Sequence, residues 1–188
     1  AGDRQEIDIC VRKHSNMEFV SQAYEKIHQM EGDCAKRHVH FAVGDCACLH
    51  YMPLPVIPFT GSDFRCTMDV ELENETSQFV FSEILRFQNK ICIYQGGQIV
   101  YRDNACYEPE RMDMRNFGMY EGFTHLANLV ICNKQKSEDW MLQTRELLDS
   151  SKDMEGGGTR TFAGHIVVRI LGRNAYKLTE VTERILTL

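Results

Sequence analysis

The sequence predicts an α+β fold, a mainly antiparallel sheet with helices packed on one side. Three observations point there. Apolar residues alternate in short runs such as Phe64, Cys66, Met68, Val70 and Leu72, the period-two signature of a half-buried strand. Gly-Asp and Gly-Gly pairs separate neighbouring runs, as tight hairpin turns require. Elsewhere apolar residues recur at helical spacing behind recognisable caps.

The first element reads as a helix over residues 15–30. Ser15 and Glu18 form the reciprocal capping pattern, and Phe19, Val20, Ala23, Tyr24, Ile27 and Met30 fall on one face. Gly32 supplies the stop. Two short strands follow, Arg37–Val43 and Cys46–Met52, joined as a hairpin at Gly44-Asp45. The next stretch carries Pro53, Pro55 and Pro58. Proline lacks the donor a central strand needs, so this stretch reads as an extended edge or connector.

Phe64–Leu72 and Phe79–Phe87 are expected strands, and Lys90–Gln95 and Gln98–Arg102 a second hairpin across Gly96-Gly97. Residues 103–118 are polar and irregular. A helix is expected over Tyr120–Cys132. Ser137 caps another that reaches Lys152, with Glu138 and Asp139 at its positive end. Gly156-Gly157-Gly158 marks a flexible loop. Phe162–Leu171 is a strand interrupted by Gly164, and a closing helix aligns Leu178, Val181, Ile185 and Leu188. A helix, glycine, strand order occurs twice, but the residues do not match and no repeat is read. In outline the arrangement resembles the cystatin-like and NTF2-like groupings, a likeness of architecture that no motif carries.

At 188 residues, with 43% apolar and 26% charged residues, the chain has ordinary globular composition and can fold without a metal or disulfide. It opens Ala1-Gly2-Asp3, with neither an initiator methionine nor a secretory signal. The expectation is a single domain over 1–188, part of a longer polypeptide. The net charge is −6, and its basic residues are scattered, the densest being Arg12 and Lys13, Lys36 and Arg37, and Lys134 and Lys136. No basic face emerges, so nucleic acid is not an expected partner. No apolar run is long enough for a membrane helix. None of the eight cysteines forms a Cys-x-x-Cys pair, and Cys10, Cys92 and Cys132 sit inside apolar runs. A cytoplasmic or nuclear location is expected. The alternative is a secreted, disulfide-bonded binding protein glycosylated at Asn74-Glu75-Thr76.

Two groups of residues could carry function. His38, His40, Cys46, Cys48 and His50 place five potential metal ligands within thirteen residues. Hairpin register governs whether they meet. A two-residue turn at Gly44-Asp45 turns His38 and His40 away from Cys46, Cys48 and His50, whereas a three-residue link sets His40 opposite His50. They support an alternative reading, a metal-dependent or small-ligand-binding domain. The second group is apolar: Leu54, Val56, Ile57 and Phe59 in the connector, then Met114, Phe117 and Met119 in the irregular stretch. Methionine and aromatic residues suit adaptable binding surfaces. No nucleophile elbow or phosphate loop occurs, so no catalytic residue is assigned and no cofactor expected. The reading is a non-catalytic domain that binds a protein partner or a second copy of itself.

Overall fold

The computed structural model describes residues 2–85, 88–106, 112–132 and 137–188. Among them the chain is mostly β, with thirteen strands and two helices. This overturns the α+β expectation of an antiparallel sheet. Through residue 95, successive strands do not return beside one another but travel around the walls of a coil.

The first turn of this coil lays down β1 (Arg4–Val11), β2 (Asn16–Val20) and β3 (Glu25–Ile27), each in a different sheet. The second repeats the path with β4 (Ala35–Val43), β5 (Cys48–Met52) and β6 (Val56–Pro58). Each new strand lies parallel to its predecessor one turn earlier: Arg4 pairs with Lys36, Asn16 with Cys48 and Glu25 with Val56. A third turn adds β7 (Phe64–Leu72) beside β4 and β8 (Gln78–Leu85) beside β5. β9 (Gln88–Gln95) then joins β7, again parallel.

From there the chain meanders. β10 (Gln98–Ala105) returns antiparallel on β9. β11 (His125–Cys132), β13 (Ile166–Gly172) and β12 (Met154–Arg160) extend the second wall antiparallel from β8. The result is a five-stranded sheet, a six-stranded sheet and a two-stranded one. Helix α1 (Glu138–Asp149) lies against β12, and helix α2 (Ala175–Thr187) against β8, β11 and β13.

Several expected elements change identity. The helix at 15–30 is instead β2 and β3. Phe19 stacks on Tyr51 at 5.3 Å and meets the edge of Phe41, and Tyr51 stacks in turn on Phe81 at 5.6 Å. This aromatic column outweighs helix propensities that differ by only tenths of a kcal/mol per residue. Val20 and Tyr24, which a helix would have buried, stay about half exposed.

The expected hairpin at Gly44-Asp45 is a corner between walls. Hydrogen bonds from Lys13, Thr76 and Asn74 hold the Asp45 carboxylate well below the usual range, tying the corner to neighbouring turns. Residues 125–132 form a central strand rather than a helix, with both faces buried. The glycine triplet lies inside β12, where a Cβ at Gly156 would stand 2.5 Å from the Arg169 carbonyl oxygen. Glycine here permits close strand approach rather than loop flexibility.

The second hairpin matches, with Gly96 and Gly97 both at positive φ, and Ser137 caps α1. β7 spans the expected residues. Phe87, placed in the expected fourth strand, lies outside the described residues.

The main core fills the space between the two large sheets, with Val39, Phe41 and Val70 facing Leu49, Phe79 and Phe81. A second core lies under the helices, where Trp140, Leu148, Leu178 and Ile185 cover Leu129, Ile131, Ile166 and Val168.

Candidate functional site

The connector is held on the body as part of the two-stranded sheet, by β6 pairing with β3. Leu54 and Val56 are half-buried and line a small, partly open cavity of about 40 Å³. Ile57 and Phe59 keep 39% and 44% of their surface, and the Phe59 ring stacks on His28 at 5.2 Å. Of the four connector residues, two face inward and two outward.

The loop before β11 is held by its own backbone. Asn116 N–H donates to the Asp113 carbonyl, Met119 N–H to Asn116 and Tyr120 N–H to Met114, while Gly118 N–H donates to the Glu121 carboxylate. Gly118 sits at positive φ, allowing the chain to reverse. Tyr120 anchors the loop at 6% exposure, Met114 and Met119 are half-buried, and Phe117 is left 95% exposed.

The five potential metal ligands do not converge. His38 and His40 alternate with buried Val39 and Phe41, so they lie on the outer face of the five-stranded sheet. His38 shares a hydrogen bond with Thr67 at 2.9 Å, and His40 lies 3.5 Å from Asp8 and 3.8 Å from Glu71. Cys48 and His50 belong to β5 in the other large sheet, and Cys46 occupies the corner between them at positive φ. Among the described residues no group of three or more His, Cys, Asp or Glu side chains gathers for an ion. All eight cysteines are free thiols. Lys134 and Lys136 lie outside the described residues. Arg37 pairs with Glu25, and Lys13 with Asp45. No described helix is long and apolar enough to cross a membrane.

The structure adds a polar seam between the large sheets that the sequence reading missed. Glu83 on β8 accepts hydrogen bonds from the Asn89 amide at 2.6 and 2.7 Å. Asn128, its cross-strand neighbour on β11, lies beside both Glu83 and Tyr101. Asp103 on β10 accepts from Arg169 on β13 at 2.8 Å and so joins the two sheets. Part of Glu83 remains accessible, yet protein surrounds its carboxyl group closely, and burial pushes its pKa up to about 8. Nearby, burial pushes the Cys66 thiol up to about 12. A signal was present: Glu83, Asn89 and Asn128 are polar residues at strand positions whose parity faces the interior. Such a seam clamps two sheets together, and it sets no activated nucleophile beside a base.

The whole chain, residues 1–188, matches the family model described as UreD urease accessory protein. It is 30% identical to the urease accessory protein UreH of Helicobacter pylori (strain G27), over 98% of this chain and 73% of that protein. It is likewise 30% identical to the urease accessory protein UreD of Acetivibrio thermocellus, over 98% of this chain and 75% of that one. The urease accessory protein UreD of Flavobacterium johnsoniae is 25% identical over 97% of this chain and 71% of its own length. A match along its full length, with relatives covered over nearly three quarters of theirs, places the chain in the UreD urease accessory protein family.

Proposed function

We propose that this chain serves urease maturation as a non-catalytic, cytoplasmic protein-binding module. Its contacts run through Phe117 with Met114 and Met119, and through Ile57 and Phe59 beside Leu54 and Val56. The observation that carries this reading is Phe117, 95% exposed at the tip of a loop ordered by its own hydrogen bonds. An aromatic ring presented on a fixed backbone loses little conformational freedom on binding, which is the character of an interface anchor. The relatives' names supply the setting, since each is called a urease accessory protein.

The test uses the purified chain with urease apoprotein and, separately, each other accessory protein of the same source. Phe117→Asp and Ile57→Asp should each weaken association at least about tenfold while leaving the circular dichroism spectrum intact. Wild-type affinity in both variants for every protein tried overturns the reading.

A further inference from the structure

The space between the two large sheets changes character at one level. Arg37, Cys66 and Asn89 lie side by side on β4, β7 and β9, a single register row across the five-stranded sheet. The neighbouring rows on that face, Val39 with Met68 and Ile91 and then Phe41 with Val70 and Ile93, are hydrocarbon and buried. Glu83 enters the polar level from β8 in the other sheet, and all four of its polar residues line the cavity that the connector borders.

Charge at this level does not balance. Arg37 pairs with Glu25, and Asp103 pairs with Arg169. The Cys66 thiol is held neutral by burial. Glu83, once ionised, has no cationic partner among the described residues. Its hydrogen-bonding neighbours are the neutral amides of Asn89 and Asn128, and the charged side chain acting on it, Asp103, is itself an anion. A carboxylate so enclosed needs one positive charge, taken up as a proton or as a bound cation.

A second observation separates those two. Asn89 is 3% exposed, and its amide nitrogen donates to both Glu83 oxygens, yet its Oδ1 accepts from no donor. A buried acceptor left so is costly. A proton on Glu83 quenches the charge and leaves Asn89 Oδ1 unserved, whereas a cation within reach of both answers the two demands together. The cavity of about 40 Å³ sets the size. A water molecule needs at least about 10–15 Å³ of such space, so an ion of water's size enters and a tetraalkylammonium does not. One carboxylate balances one charge, and a divalent ion would leave a net charge buried. The rings of Tyr51 and Phe81 also line the cavity and offer a cation their faces.

We infer that this level is a binding site for one small monovalent cation, of ammonium or potassium size, with the Glu83 carboxylate and Asn89 Oδ1 as its acceptors. Where Glu83 carries a proton, binding releases it to solvent: the carboxylic acid and the ammonium ion give a carboxylate–ammonium pair and one free proton. The site lies apart from Phe117, Ile57 and Phe59 and does not depend on the docking role given to them.

Thermal unfolding of the purified chain is followed at equal ionic strength in ammonium, potassium and tetramethylammonium chloride, at pH 6.5 and pH 8.5. Ammonium or potassium should raise the midpoint above that in tetramethylammonium, by about 3 °C at ten times the dissociation constant, and more at pH 8.5 than at pH 6.5. Glu83→Gln, folded by circular dichroism, should lose the difference. Calorimetric titration of the wild-type chain at pH 6.5, in two buffers of unequal ionisation enthalpy, should show about one proton released per cation bound. That measurement decides the matter on its own should the variant fail to fold. A response to ammonium alone assigns selection to N–H donors, and an equal response to potassium assigns it to size and charge; both support the site. Equal midpoints in the three salts at both pH values overturn the inference. So does a difference that survives in folded Glu83→Gln, or binding at pH 6.5 without proton release.

Discussion

Glu83 stands on the inward face of β8, two residues after Phe81, where the rule for a packed interior asks for a hydrocarbon side chain. The Asn89 amide meets both its oxygens, and Asn128, its other hydrogen-bond partner, is also a neutral amide. Burial therefore dominates and raises its pKa from 4.5 to about 8. Between those values the folded chain holds a proton that the unfolded chain has released, so stability falls as pH rises through that window. Glu83→Gln keeps the shape and removes the charge. Relative to wild type, the variant should gain on the order of 2 kcal/mol between pH 5 and pH 9 in urea denaturation. Each pH unit between the two values is worth about 1.4 kcal/mol, and partial solvent access reduces the sum. A constant difference across that range would show that the carboxyl group is already ionised at low pH. At this scale the sequence was partly legible. Ser137 as a helix cap and Gly96-Gly97 as a turn are local chemistry, readable from neighbours alone. The inward direction of Glu83 and Asn128 depends on which strand lies opposite, and no single stretch of sequence contains that.

Among the elements, β12 shows how one residue type can carry two meanings. Three consecutive glycines read as a loop, but at Gly156 the neighbouring strand leaves no room for a side chain, since a Cβ there would stand 2.9 Å from Ile170 Cα. Gly157 has open space on the same strand. Gly156→Ala should therefore cost about 1–3 kcal/mol through overpacking, while Gly157→Ala should be close to neutral, both read from urea midpoints. Equal effects would place the strain elsewhere. The segment 15–30 fails for the complementary reason. Its apolar spacing satisfies a helix, but Phe19 finds Tyr51 and Phe41 in the coil, and those rings lie far away in sequence. Strands β7, β9 and β10 were legible because alternation and a glycine turn suffice to define them.

Across the whole molecule, the hidden feature was the route of the chain. Parallel pairing of β1, β4, β7 and β9 puts partners far apart in sequence, with Arg4 beside Lys36, Ala35 beside Phe64 and Arg65 beside Gln88. A reading that joins neighbouring strands into hairpins cannot find such pairs, and the turns share no residue pattern that would announce them. This route also grades stability along the coil. β1 and β2 are outer strands of their sheets with mostly exposed side chains, whereas β8 and β11 are bonded on both sides. Amides of β1 and β2 should exchange with deuterium well before those of β8 and β11 in native-state exchange. Simultaneous exchange would mean that the coil opens only as one unit.

The aromatic column of Phe19, Tyr51 and Phe81 occupies the same place on three successive turns. Extra residues inserted at a bend, such as between Met52 and Val56, enlarge the perimeter without moving any ring, whereas one residue inserted within β5 rotates Tyr51 out of the stack. The interior therefore tolerates added length at the bends and not within the strands, so chains of unequal perimeter can share one stack of rings.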